Sequence, residues 1–247
     1  MLQKLLFLIS GLFLFGCNSS IKEKTKNTIM AGSQVSKTIS SEFKLDYLLY
    51  LPENYNESDT TGFPLILFLH GSGERGNDIQ KVKQWGPPKI AEKKGLPFIV
   101  ISPQCPEGEW WTSQLFQLKT LLDRTIGSLN IDTTRIYLTG LSMGGFGTFA
   151  MAQIYPDYFA AIAPICGGGT PSLLKFSKNI PAWVFHGEID PVVPLSSSQM
   201  MVDAMNANGA EVKFTIYKGV DHFSWIPAYN ESELFEWFLS HKKEHIK

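Results

Sequence analysis

Apolar positions in this chain gather into short uninterrupted runs, and between the runs they recur at helical spacing. Pro64-Leu65-Ile66-Leu67-Phe68-Leu69, Phe98-Ile99-Val100-Ile101, Phe159-Ala160-Ala161-Ile162-Ala163-Pro164-Ile165-Cys166 and Pro181-Ala182-Trp183-Val184-Phe185-His186-Gly187 are nearly free of polar side chains. Such runs predict strands covered on both faces. Arg135-Ile136-Tyr137-Leu138-Thr139, β-branched and aromatic, predicts another buried strand. Phe43 to Tyr50 and Glu211 to Lys218 alternate instead, which predicts half-buried strands, the first near a sheet edge.

Helices are expected between them. Gly86 to Lys94 is a short one, and Leu115, Leu118, Leu121, Leu122, Ile126 and Leu129 mark an amphipathic helix. Gly145 to Ala152 is small and apolar, a buried helix; Leu195 to Asn208 is a further one. A last amphipathic helix carries Leu234, Phe235, Trp237, Phe238 and Leu239. Strands alternating with helices predict an α/β fold: a mostly parallel twisted sheet with right-handed crossovers and helices on both faces.

The chain start has a different pattern. Lys4 precedes an apolar stretch from Leu5 to Phe15 that is short for a bilayer span and reads as a signal peptide over residues 1–17. Its end, Leu14-Phe15-Gly16-Cys17, resembles a bacterial lipobox, which implies a lipid on Cys17, the only membrane attachment expected, and a place in the bacterial cell envelope. The alternative is an ordinary secretory signal cleaved near Gly16, leaving Cys17 a spare thiol. Residues 18–40 are rich in Ser, Lys, Thr and Asn and read as a flexible tether. One catalytic domain is then expected over residues 41–247.

Composition narrows the function. With 247 residues, 44% of them hydrophobic, the chain can bury one sizeable core, and its formal net charge of -1 argues against nucleic acid as a partner.

Between the strand ending at Thr139 and the helix after it stands Gly140-Leu141-Ser142-Met143-Gly144. G-x-S-x-G in a strand–turn–helix context is a nucleophile elbow, a turn tight enough to need glycine beside the serine. It presents the Ser142 hydroxyl above the sheet and aims the Met143 backbone N–H at a developing oxyanion. A second Gly-rich loop, His70-Gly71-Ser72-Gly73-Glu74-Arg75-Gly76, follows a central strand and lacks the Walker spacing and lysine of a phosphate cradle. It reads as the other half of an oxyanion hole, with Ser72 N–H the donor. His70 is expected to hold this loop. Glu74 and Arg75 either pair to brace it or meet the substrate.

Ser142 needs a base, and the base needs a carboxylate to hold its tautomer. His222 follows the last strand and is the base expected, with His186 structural and His241 and His245 solvated in the charged tail. Asp190, Glu188 and Asp221 compete as the carboxylate; Asp221 adjoins His222, so their side chains diverge, and Glu188 sits too close to its strand end. Asp190 is preferred, in the chain order Ser…Asp…His. Trp110 and Trp111, adjacent on a loop at the top of the sheet, are candidates for a substrate platform against plain packing, and Trp225 is a third possible substrate contact.

The stretches His70 to Gly76, Pro103-Gln104-Cys105-Pro106, Gly140 to Gly145, His186-Gly187-Glu188-Ile189-Asp190-Pro191-Val192-Val193 and His222 resemble the α/β-hydrolase superfamily over about Phe43 to Ser240. The branch they resemble is the esterases often labelled predicted peptidases, near dienelactone hydrolase, phospholipase/carboxylesterase and feruloyl/acetyl-xylan esterases. The resemblance implies a serine hydrolase with no cofactor and no metal, using Ser142, Asp190 and His222. No lid or propeller is recognisable, which favours esters over peptides, so the expected substrate is a small-molecule or oligosaccharide ester. A small-peptide or amide hydrolase, an acyltransferase and a non-catalytic binding protein of the same fold are the alternatives.

Cys105 and Cys166 follow strands expected about three spacings apart, roughly 14 Å at ~4.8 Å each, too far for a disulfide. Free buried thiols are predicted.

Overall fold

The computed structural model describes residues 29–39, 45–230 and 233–243. The expected signal peptide, Cys17, residues 18–28 of the expected tether and His245 lie outside them. Eight strands form one sheet: β1 (Gln34–Ile39), β2 (Leu45–Tyr50), β3 (Phe63–Leu69), β4 (Ile99–Pro103), β5 (Ile131–Leu141), β6 (Ala161–Ile165), β7 (Ala182–Gly187) and β8 (Val212–Tyr217). Their spatial order is β1-β2-β4-β3-β5-β6-β7-β8. β1–β2 and β2–β4 are antiparallel, and every pairing from β4 to β8 is parallel. This is an α/β-hydrolase sheet.

The uninterrupted apolar runs became the strands that are buried at every position, β3, β4, β6 and β7. The helices are α1 (Gly86–Lys94), α2 (Leu115–Ser128), α3 (Met143–Ile154), α4 (Leu195–Ala207), α5 (Trp225–Asn230) and α6 (Glu233–Ser240). α2, α3 and α4 cover one face with Leu118, Leu121, Leu122, Phe149, Met201 and Met205. α1, α5 and α6 cover the other with Ile90, Ala228, Leu234, Phe235 and Phe238. In β3 the alternation is direct: Leu65, Leu67 and Leu69 enter the first layer, Ile66 and Phe68 the second. A strand with both faces covered needs apolar residues at every position, which is why these runs are continuous.

One boundary is corrected. Residues 34–39, assigned to the tether from their polarity, form β1, so the folded part begins upstream of Ser41, and β2 lies near the sheet edge, one strand in. The strand pairs from Gln34↔Tyr50 to Ile39↔Leu45. Backbone pairing recruits it, helped by burial of Ile39 and by Gln34, whose N–H donates to Glu92 Oε1 at 2.7 Å and whose side chain donates to Pro88 O at 2.8 Å. An edge strand with one wet face carries no continuous apolar run to announce it. α5 was also unexpected, its six residues being too few for a periodic signal.

Cys105 and Cys166 are free and buried, as expected, with β3 and β5 between their strands. Among the described residues no helix is long and apolar enough to cross a membrane.

Candidate active site

β5 ends at Leu141 and α3 begins at Met143, leaving Ser142 as the whole turn. Its backbone sits at φ 52, ψ -116, a conformation that costs an L-residue on the order of 1–3 kcal/mol and persists only where the surroundings impose it. The surroundings here are backbone. Ser142 N–H donates to Ile165 O at 2.9 Å. A Cβ at Gly140 would lie 2.4 Å from Gly144 O, and one at Gly144 would lie 1.9 Å from Leu69 O. The two glycines let the end of β3 and the start of α3 close on the serine.

Gly144→Ala is therefore expected to destabilise the fold by about 3 kcal/mol or more, because the clash is with main chain that cannot swing aside. For a domain of this size that is a melting-temperature fall of roughly 6–12 °C. Gly127, in α2 with nothing within 4 Å of its would-be Cβ, supplies the contrast. Gly127→Ala should raise the melting temperature slightly, by up to about 1 kcal/mol in stability. Equal melting temperatures for the two variants would remove the packing account of the elbow.

His222, in the loop between β8 and α5, places Nε2 2.9 Å from Ser142 Oγ and Nδ1 2.7 Å from Asp190 Oδ2. The other Asp190 oxygen, Oδ1, accepts the Val192 and Val193 backbone N–H groups at 2.8 and 2.9 Å. Burial opposes the charge of Asp190, but the hydrogen bonds from His222 and these amides outweigh it and hold its pKa below the usual carboxylate value. Asp190 thus stays ionised at neutral pH. Its partners assign Nδ1–H as the tautomer of His222, with Nε2 open to the serine proton.

The rival carboxylates are engaged elsewhere. Glu188 accepts Gly219 N–H at 3.0 Å and Asp221 accepts Phe223 N–H at 3.0 Å, both at exposed positions. Asp190 stands in the tight loop after β7, folded back on its own amides.

Met143 N–H is the first amide of α3, so the helix offers it no carbonyl partner. Ser72 opens a 3-10 turn, Ser72–Glu74, directly after β3. The two loops abut: a Cβ at Gly71 would meet Leu141 Cδ1 at 2.8 Å. His70 holds this corner, accepting Cys105 N–H on Nε2 at 2.9 Å, with Nδ1 2.5 Å from Gly71 O. Burial lowers its pKa to about 4, so it is a neutral strut. Glu74 and Arg75 part company. Glu74 is buried with Oε2 3.8 Å from His70 Nδ1, and burial raises its pKa. Arg75 reaches outward to Ser72 O at 3.0 Å and Glu109 O at 3.2 Å, its guanidinium 5.9 Å from the Trp110 ring centre.

The tryptophans divide. Trp110 is 49% exposed, but Trp111 is fully buried and donates Nε1–H to His70 O at 2.9 Å. Trp111 is therefore no platform; it packs on α3, where Gly147 leaves room for its Cβ. Trp225 is also withdrawn from the role of substrate contact: it is buried, edge-on to His222 at 5.2 Å between ring centres. Phe223, missed in the sequence although it adjoins His222, is 45% exposed and packs on Trp225 at 4.9 Å and Trp85 at 6.1 Å. His241, expected to be solvated, lies against Trp237 at 4.5 Å and reaches Trp237 O at 2.7 Å, at the end of α6.

Among the described residues, Cys166, Asp190 and His222 bring potential ligand atoms within 4.8 Å of one another. The Asp190 oxygens are already committed to amide and imidazole donors, and burial pushes the Cys166 thiol up to about 12. A protonated thiol is a poor metal ligand, and of the three only Asp190 and His222 are joined, by their hydrogen bond. A cavity of about 670 Å³, lined by residues such as Thr134, Asp157, Phe176 and Lys243, lies where β5 and β6 begin, at the opposite end of the sheet from these groups.

Sheet order, elbow and the line of three side chains define the α/β-hydrolase class. The model of the phospholipase/carboxylesterase family matches residues 98–231, more than half of the chain, and the chain belongs to that family. It is 32% identical over 154 residues to the bifunctional acetylxylan esterase/xylanase XynS20E of Neocallimastix patriciarum, covering 60% of this chain and 22% of that protein. To poly(3-hydroxyalkanoate) depolymerase C of Paucimonas lemoignei it is 25% identical, over 88% of this chain and 53% of that one. The chain thus spans about half or less of the length of these two curated relatives. Among solved structures, a thermostable esterase superposes with a TM-score of 0.76 at 33% identity, covering 87% of this chain and 64% of that chain.

Proposed function

We propose that the protein is an extracytoplasmic carboxylic-ester hydrolase that works through Ser142, His222 and Asp190. The observation that carries this reading is the unbroken line from Ser142 Oγ through His222 to Asp190 Oδ2, at 2.9 and 2.7 Å. His222 Nε2 takes the Ser142 proton as Oγ attacks the ester carbonyl carbon. Negative charge moves to the carbonyl oxygen, opposite the amides of Met143 and Ser72. Asp190 stabilises the imidazolium without taking its proton, and His222 Nε2 then delivers that proton to the departing alkoxide. Water, deprotonated by His222, attacks the acyl-Ser142 ester; the acid leaves and the serine proton returns.

The relatives named as acetylxylan esterase and thermostable esterase favour esters over amides, and the first suggests an acylated carbohydrate. The exposed faces of Trp110 and Phe223 are surfaces on which a sugar or aryl ring can lie. Export and a lipid on Cys17 rest on the chain start, outside the described residues. The expected result is that a fluorophosphonate probe labels Ser142 and that kcat/KM for p-nitrophenyl acetate exceeds that for p-nitroacetanilide by at least about a thousandfold, since amide cleavage demands leaving-group protonation more strongly. Comparable values would turn the reading to a peptidase, and absence of labelling to a binding protein. A panel of acetylated and feruloylated oligosaccharides then locates the alcohol side.

A further inference from the structure

Asp190 Oδ2 has a second imidazole on it. His186, the last side chain of β7 before Gly187, is fully buried and places Nε2 3.3 Å from Asp190 Oδ2 and 2.9 Å from Val193 O. Neither a carboxylate nor a carbonyl can donate, so Nε2 must carry a proton. On the other side of the ring, Nδ1 is 2.7 Å from Ser198 Oγ, which is itself 2.8 Å from Gly167 O. Burial lowers the pKa of His186, so the ring is neutral with its one proton on Nε2, and Nδ1 and Gly167 O compete for the single Ser198 hydroxyl proton. Gly167 packs against Gly145, two residues into α3, where a Cβ on either would collide with the other's backbone. One side chain thus connects the acid loop, α4 and the loop that supports the nucleophile helix.

We propose that His186 is a positioning residue for the Ser142–His222–Asp190 line: its Nε2–H, anchored on Val193 O, lies 3.3 Å from Asp190 Oδ2 as a polar neighbour that steadies the carboxylate charge and tempers the pull of that oxygen on His222. The proposal rests on the ester-hydrolase reading for its kinetic consequence, but not for its structural one. The titratable groups facing this ring are Asp190 and His222, with the Cys166 thiol beside them. Removing a neutral donor from Asp190 leaves more uncompensated negative charge against His222 Nδ1. His222 should then protonate at higher pH, and its ring should be less firmly aimed.

The test compares His186→Asn with His186→Gln. The Asn amide can reach Ser198 but is too short to donate to Asp190, while the longer Gln amide restores a donor near the Nε2 position. In His186→Asn the acid limb of kcat/KM for p-nitrophenyl acetate is expected to move up by ~0.5–1 pH unit. kcat per labelled active site should fall about ten- to a hundredfold with KM nearly unchanged, as for a small misplacement of the reacting groups. His186→Gln should return the limb towards wild type. A folded Asn variant with an unmoved limb overturns the proposal, because a purely structural role lowers the amount of active enzyme without shifting its titration. Nitrogen-15 spectra of wild-type protein supply a readout that needs neither variant nor turnover: the His186 Nε2 resonance should be that of a protonated nitrogen from pH 6 to 8. An unprotonated Nε2 overturns the assignment even if ester hydrolysis stands, and a protonated one together with the moved limb supports it, since Val193 O alone already calls for that proton.

Discussion

Ser142→Ala is expected to lower kcat for p-nitrophenyl acetate by about 10⁵–10⁶-fold while the protein melts within a few degrees of wild type. The magnitude follows from how such units fail: loss of the nucleophile in a Ser-His-Asp site costs nearly as much as loss of all three members, and what survives comes from the oxyanion donors and binding. Stability should change little, because Ser142 is only half-buried and its hydroxyl bonds to the part-buried His222 ring. Alanine must still occupy φ 52, a cost the serine already bears. Turnover within tenfold of wild type in a pure Ala variant would show that the line of hydrogen bonds is not the route of reaction.

Asp190→Asn is expected to lower kcat by about 10⁴-fold at neutral pH with only a small change in shape. The cause is tautomeric. Asp190 accepts on both oxygens, two amides on Oδ1 and His222 Nδ1–H on Oδ2, with His186 Nε2 3.3 Å from Oδ2. An amide in that place keeps one acceptor oxygen, which the Val192 and Val193 N–H groups claim, and turns its NH₂ toward His222 Nδ1. The ring then flips its proton to Nε2, where it can no longer take one from Ser142. The loss should ease at high pH, where a hydroxide-assisted route needs no base, and a pH series on the variant would record it. The native dependence has the opposite sense on the acid side: because hydrogen bonding holds the Asp190 pKa below the usual carboxylate range, this carboxylate remains charged well below neutrality. A loss confined to a factor of ten would mean that Asp190 serves only as a buried strut.

Much of this molecule was legible in one dimension, for reasons that differ from element to element. β3, β4, β6 and β7 were readable because a strand covered on both faces must be apolar throughout, and four such runs in succession leave few folds open. The elbow was readable because the tight turn around Ser142 makes a local demand for glycine, Gly140 having to pass Gly144 O, although Gly144 also answers the distant backbone of Leu69. β1 was not, since six mostly polar residues become a strand only through the partner backbone of β2. The aromatic residues misled in part for the same reason. Trp110 and Trp111 are equivalent as letters, yet one turn of 3-10 helix sends the second into the core, to His70 O, and leaves the first outside.

The sequence by itself determined the layered α/β architecture, the place of the nucleophilic turn and a short roster of bases and acids, because each of these follows from local sterics or from the period of burial. Only the tertiary structure set Asp190, rather than Glu188 or Asp221, against His222, placed Phe223, buried Trp111 and Trp225, and brought His186 to 3.3 Å from the oxygen that His222 bonds. Those choices depend on where β7, β8 and α3 bring loops that are 80 residues apart for Ser142 and His222. Directions of side chains across such separations are set by packing of the whole sheet, which no stretch of the chain contains alone.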